Sequence, residues 1–158
     1  MLSKIVSGGQ TGADKGGLIV ARRFGLETGG WVPKGCRTED GPDLELVEVY
    51  NCEEHPSSSY YHRTLSNAHD SDATIILSGD FESKGTKLTI VGCQHYDRPF
   101  KLVDVKNPCN PQEVVDWLNE NKVEVLNVAG NRASRCEGIA QFTEDFLGQV
   151  FETVLGNV

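Results

Sequence analysis

The chain has 158 residues, with 15 Lys and Arg against 23 Asp and Glu, a formal net charge of −8 and 38% hydrophobic residues. That length suits a single domain spanning 1–158 and buries a core without disulfide or metal staples, while the acidic balance argues against nucleic acid or an anionic membrane as the main partner. No apolar run approaches the ~20 residues of a membrane span, and Met1 to Val6 leads into a glycine turn without a signal-peptide pattern, so the expected address is the cytoplasm.

In chain order, a short apolar run, Ile5-Val6, is followed by Ser7-Gly8-Gly9-Gln10-Thr11-Gly12-Ala13-Asp14 and then by a helical pattern through Leu18, Ile19, Val20, Ala21 and Phe24. Thr28 to Val32 reads as a strand ending at Pro33-Lys34-Gly35, and Leu44 to Val49 as an edge strand or extended loop. Pro56 introduces a helix capped by Ser57 or Ser58 and running to about His69, with Tyr61, Leu65 and Ala68 as its apolar face. Ala73 to Leu77 is a continuous apolar run, the mark of a strand covered on both faces. After Ser78-Gly79-Asp80, the turn Ser83-Lys84-Gly85-Thr86 opens a helix carrying Leu88, Ile90, Val91 and Cys93. Phe100 to Val105 is a strand, Pro111 opens a helix, and Val123 to Val128 is a further strand. The turn Ala129-Gly130-Asn131-Arg132-Ala133-Ser134 leads to a last helix with Ile139, Phe142, Phe146, Val150 and Val154 on one face. Such alternation predicts an α/β fold: a Rossmann-like, doubly wound, mainly parallel sheet with helices on both faces.

Parallel sheets of this kind bind ligands beyond the carboxyl ends of their strands, where strand order reverses. All three glycine-bearing turns fall on that edge. Glycine lets a backbone approach a phosphate closely, and a helix start adds N–H donors and a positive dipole end. Against Gly-x-Gly-x-x-Gly the chain offers Ser7, Gly9 and Gly12, and no Walker P-loop occurs. Lys15, Lys34, Arg37, Arg63, Lys84, Lys87, Arg132 and Arg135 lie in or beside these segments, which suits a small anion better than a polyanion. An ordinary NAD site is disfavoured, because the second strand ends in Lys34 and Arg37 where an acidic residue usually holds the ribose, although Glu39 and Asp40 follow closely. Tyr60, Arg63 and Asn67 recur at helical spacing, an arrangement that suits an oxyanion beside a flat ring.

Other chemistry has less support. The five cysteines are scattered and odd in number, as expected of reduced structural thiols; Cys36 stands out because flanking Lys34 and Arg37 would lower its pKa. Cys52, His55, His62 and His69 do not make a metal site: seven helical residues separate the last two by about 10.5 Å, against metal–nitrogen bonds of about 2.1 Å. The serines lack a recognisable base partner or a Gly-x-Ser-x-Gly elbow.

Taken together, several runs resemble the family described as molybdenum cofactor carrier proteins. They are Ser7 to Asp14; Gly29 to Gly35 with Glu39 to Pro42; Tyr60, Arg63-Thr64, Asn67 and Asp70 to Thr74; Gly85-Thr86 with Leu88-Thr89; and Leu126 to Gly130 with Arg132 and Ser134. The resemblance spans nearly the whole chain. Two departures stand out: Asn131 where the family usually has proline after the glycine, and Lys84-Gly85 in place of a glycine pair.

The resemblance implies a Rossmann-like subunit, commonly a homo-oligomer (dimer or tetramer), related to cytokinin-activating phosphoribohydrolases. It implies a small anionic ligand, either molybdenum cofactor, a phosphorylated pterin, or a nucleotide. The expected binding residues are Gly8, Gly9, Gln10, Thr11, Gly12, Lys34, Arg63, Asn67, Gly79, Lys84, Gly85, Thr86, Gly130, Asn131, Arg132 and Ser134. The phosphoribohydrolases carry Pro-Gly-Gly-x-Gly-Thr-x-x-Glu, and Thr89 stands at the glutamate position. A binding protein is therefore expected rather than an enzyme, with a nucleotide sensor or N-glycosidase as the alternative.

Overall fold

The structure, a computed structural model, describes residues 1–156; the last two positions of the expected 1–158 domain lie outside the described residues. Its central sheet has the order β2-β1-β9-β7-β8, built from β1 (Lys4–Val6), β2 (Glu27–Gly29), β7 (Ala73–Ser78), β8 (Phe100–Asp104) and β9 (Val125–Gly130). Every neighbouring pair in it is parallel. Counting β9 as the first strand turns this order into 3-2-1-4-5, the Rossmann arrangement with its opening strand moved to the end of the chain. The reversal of strand order then falls between β9 and β7.

Two sides of the sheet differ in chemistry. On one, α1 (Ala13–Arg23), α5 (Pro111–Glu120) and α6 (Ile139–Val154) cover Ile5, Ile75, Leu77, Leu126 and Val128, with Leu147, Val150 and Phe151 fully buried. The apolar stripe of α6 is therefore taken up by the chain's own core. Truncating Phe151 to Ala would cost about 3–5 kcal/mol. On the other, α3 (Tyr60–Asp70) and α4 (Lys84–His95) bury Arg63, Thr64, Asn67, Thr86 and Thr89. Strand residues alternate between the two sides, so Thr74, Ser78 and Asn127 fall on this polar one.

The local corrections have simple causes. Ser59, not Ser57 or Ser58, caps α3 by accepting from the Tyr61 N–H, because Ser57 and His55 are engaged in the preceding turns. The buried stripe of α3 is Arg63, Thr64, Asn67 and Ala68, while Tyr61 is 51% exposed; apolar periodicity picked the wrong face because the surface opposite is polar. Thr28 to Val32 splits, since Gly30 turns the chain and β3 (Trp31–Val32) pairs instead with β6 (Glu53–Glu54). Arg37–Thr38 (β4) and Gly41–Pro42 (β5) form a small antiparallel pair. Leu44 to Val49 is neither strand nor extended: Glu45–Glu48 is one helical turn, α2, and drives Leu46 into a second core with Leu18, Val32, Cys36, Tyr50 and Cys52.

Candidate functional site

A cavity of about 350 Å³ opens at the carboxyl edge of the sheet, at the β9/β7 reversal and under α3 and α4. Of the residues expected at the site, Gly8, Gln10, Arg63, Asn67, Lys84, Gly85, Thr86, Gly130, Asn131 and Arg132 line it. Gly9, Thr11, Gly12, Lys34, Gly79 and Ser134 do not. Lys34 is exposed beyond the Pro33 turn, and Gly79 borders a separate hollow with Asp80, Lys106 and Cys136.

The first glycine turn is filled by the protein's own groups. Gly9 N–H donates to Ser7 Oγ at 3.2 Å, Gln10 N–H to Asp14 Oδ2 at 3.2 Å, and Thr11 N–H to Gln10 Oε1 at 3.0 Å. The Ala13 amide donates to Asn131 O at 3.2 Å. Asp14 is thus the anion in this nest. Burial pushes its carboxyl pKa up to about 6, against the pull of Arg63 and of the Gln10 and Gly8 amides. Gly12, at φ +85°, packs so tightly that a Cβ would lie 2.5 Å from Asn131 O.

A second carboxylate, Glu39, occupies the neighbouring donors. It accepts from the Thr11 hydroxyl, from Ser134 N–H at 3.1 Å and from Ser134 Oγ at 2.5 Å, and Arg132 Nε stands 3.6 Å away. Its pKa is lowered by the Ser134 and Thr11 hydrogen bonds and by Arg132, which outweigh the raising effect of burial. Thr11 and Ser134 therefore serve this internal clasp.

Arg63 is also committed. Its Nε donates to Gly8 O at 3.1 Å, and its Nη1 to Tyr60 O and to Thr64 Oγ1. Burial lowers its pKa, opposed by Asp14 and Tyr60. Both Arg37 and Arg63 lie against the Tyr60 ring, at 4.4 and 5.1 Å from its centroid. Asn67 clamps β3 by accepting from Trp31 N–H at 2.8 Å and donating to Trp31 O at 2.9 Å.

The turn before α4 is different. Ser83 caps the helix by accepting from Thr86 N–H, and the first-turn amides of Lys84 and Gly85 have no intrahelical acceptor. A Cβ added at Gly85 would meet nothing within 4 Å. Asn131 holds this turn in place. Its Oδ1 accepts from Ser78 Oγ at 2.9 Å and Gly79 N–H at 2.8 Å, and its Nδ2 reaches Ser83 Oγ at 3.3 Å. A proline could make none of these contacts, so the departure at 131 supplies a brace between β9 and the second turn.

Other expectations are resolved by burial. Cys36 is 2% exposed, and burial, followed by the nearby Glu54, Asp43 and Glu48, pushes its thiol up, so it is no activated thiolate. Among the described residues no group of three or more His, Cys, Asp or Glu is placed to hold a metal ion. No helix among them is long and apolar enough to cross a membrane. Thr64, Leu88 and Asn127, which fell in the resembling runs but not in the expected binding set, also line the cavity, as does Arg135, expected only as one of the cations along that edge. Asn127 had a signal: it is an amide in the middle of an otherwise apolar strand.

The fold defines a Rossmann-like α/β protein with a cavity at its strand reversal. Residues 5–151 match the circularly permutated YpsA SLOG family, and the chain belongs to it. The sheet order, with its opening strand at the end of the chain, is the kind of arrangement a circular permutation produces. A crystal structure of a protein from Syntrophus aciditrophicus SB, named a "putative molybdenum carrier protein", is 37% identical, with a TM-score of 0.86 over 95% of this chain and 94% of that one. No curated protein matches the chain significantly.

Proposed function

We propose that the protein binds and carries a small ligand that joins a phosphate to a flat heterocycle, with molybdenum cofactor as the first candidate. The observation that carries this reading is the polarity of the cavity. Lys84, Arg132 and Arg135 gather around it together with the open start of α4, while Leu88, Ala129, Thr89 and Asn127 supply an uncharged stretch of wall beside the buried Arg63 and Asp14. A phosphate docks at a helix start beside cations, and an uncharged wall in a cavity of this size suits a ring. The name of the Syntrophus protein supports a carrier role, and the pterin is the part of the cofactor these residues would hold. The protein supplies the phosphate donors, the walls and the exclusion of water.

Native mass spectrometry of the protein purified from its own host tests this directly. The expected spectrum shows the 17.3 kDa chain with an added phosphorylated pterin. A nucleotide adduct would favour the alternative, and bare chain that stays bare on addition of phosphorylated pterins would overturn the proposal.

We further propose that the chain does not cleave N-glycosidic bonds. Thr89 Oγ1 donates back to Gly85 O at 3.0 Å, and a hydroxyl cannot serve as a carboxylate base near neutral pH. Among the described residues Asp14 is the sole carboxylate lining the cavity, and it is held by the first turn. Release of free base from AMP by the unmodified protein would contradict this. Self-association into a dimer or tetramer is expected on the family resemblance, and light scattering that returns the monomer mass at micromolar concentration would contradict it.

A further inference from the structure

Two charged side chains that line the cavity each keep one atom free. Arg63 on α3 is 8% exposed and Asp14 in the first turn of α1 is 7% exposed. Arg63 Nε and Nη1 are bonded to Gly8 O, Tyr60 O and Thr64 Oγ1, while Nη2 has no hydrogen-bond partner among the described residues. Asp14 Oδ2 accepts from Gln10 N–H, and Oδ1 is likewise without a partner. The two groups attract through space but form no ion pair. Among the described residues, the side-chain atoms that are both unpartnered and sealed from solvent are Arg98 Nε, Asn127 Oδ1 and Thr143 Oγ1. Arg63 Nη2 and Asp14 Oδ1 are not of that kind, so both reach open space, and the open space that the two residues share is the cavity.

We infer that Arg63 and Asp14 together read the ring of the ligand, Arg63 Nη2 donating to a carbonyl oxygen on the ring edge and Asp14 Oδ1 accepting from the N–H beside it. This rests on the reading of the cavity as a phosphate-and-ring site and adds the chemical class of the ring, a lactam. A ligand that fills the cavity displaces the water serving these two atoms, and a buried charged group left unpaired is costly. A lactam supplies both partners from adjacent positions. Bonds to an ionised group are the strong ones, and Asp14, with a pKa of about 6, is ionised at neutral pH. A phosphate at Arg63 would set its oxygens against the Asp14 carboxylate, which leaves the phosphate to Lys84 and Arg132 beside the α4 start. A site built to pair polar groups discriminates strongly against analogues that lack them. Pterins and guanine both carry the lactam edge, so the pair selects that edge whichever source supplies it.

Calorimetric titration of the full chain with neopterin monophosphate and with guanosine monophosphate separates the two sources. Each is run beside its derivative methylated at the lactam nitrogen, with glycerol phosphate as a ring-free control. The expected result is that at least one parent compound binds and that its methylated form binds about tenfold more weakly or worse, the loss of one charge-assisted hydrogen bond. Asp14→Asn, its oxygen kept by the Gln10 N–H, turns a donor to the cavity in place of an acceptor; it weakens the parent by a similar factor and leaves glycerol phosphate unchanged. In protein with isotope-labelled arginine side chains, the Arg63 guanidinium resonance moves on addition of the parent and not of glycerol phosphate. The methylation and resonance arms use unmodified protein, so they stand even if Asp14→Asn fails to fold. Equal binding of parent and methylated compounds, or undiminished binding of the parent by folded Asp14→Asn, overturns the inference while the cavity reading stands. So does an Arg63 resonance that the parent leaves still, or that glycerol phosphate moves as far, which would put the phosphate at Arg63. Binding of glycerol phosphate without either ring compound, or of none of the probes, overturns the cavity reading and the inference with it.

Discussion

The starts of α1 and α4 are built alike, each a turn with glycine between a parallel strand and a helix, yet they are chemically opposite. At α1 the backbone amides are taken by Ser7, Gln10 and Asp14, and Glu39 covers Thr11 and Ser134 beside it. At α4 only Thr86 is capped, and the turn faces the cavity. A glycine-rich helix start therefore marks where an anion fits, not whose anion it is. In the first turn the anion is a side chain of the protein, and the glycines serve close packing. In the second, the Lys84 and Gly85 amides have no partner among the described residues, and we propose that they serve a ligand.

The largest break in that comparison comes from adding a methyl group to each turn. Gly12→Ala meets both a φ of +85° and the backbone of Asn131, and should cost about 3 kcal/mol or more. Gly85→Ala enters open space at the start of a helix, so it should be neutral or gain up to about 1 kcal/mol. Urea unfolding of the two variants reads the difference. Equal destabilisation would mean that the two turns are not distinct in kind.

Asn131→Ala comes next, because it removes the brace that positions the second turn. Leaving Gly79 N–H and Ser78 Oγ without their acceptor should cost about 2 kcal/mol, and phosphate-bearing ligands should weaken with it. Amide exchange should speed up at Gly79 and Thr86 but not at Gln10. A uniform change across both turns would count against the brace.

The smallest effect is electrostatic and separates the two carboxylates. Asp14 should titrate near pH 6 and Glu39 below the ordinary glutamate range, seen by carbon-detected NMR of their carboxyl groups. Their linkages to stability have opposite signs. Asp14 has a raised folded pKa, so its contribution is complete below about 4 and is lost as pH rises through about 6. Glu39 has a lowered one, so its contribution is present above the unfolded value near 4.5 and is lost as pH falls below it. Asp14→Asn should flatten the stability profile between about pH 4 and 6, and Glu39→Gln should flatten it only at the acid end. Coincident midpoints for the two groups would show that their environments do not differ as described.

Much of the architecture could be read without coordinates. Alternating apolar runs gave the parallel sheet, and Ala73 to Leu77 gave its doubly covered strand, because burial on both faces demands an unbroken apolar run. Pro111 announced α5 as a helix start, and the structure adds Asn110 as its cap, accepting from Gln112 N–H. The grouping of glycines and cations at one sheet edge located the cavity, since parallel connections bring successive strand ends to the same side. Tertiary structure alone decided the rest. It brought Glu39 onto Ser134, 95 residues away, and Asn131 onto Ser78, 53 residues away. Nothing local to any of those residues encodes that meeting. It buried the polar stripe of α3, where periodicity had favoured Tyr61, because the facing surface is a polar cavity wall rather than a core. Donor and acceptor types are properties of the sequence, but which of them remain free for a ligand depends on partners supplied by distant segments.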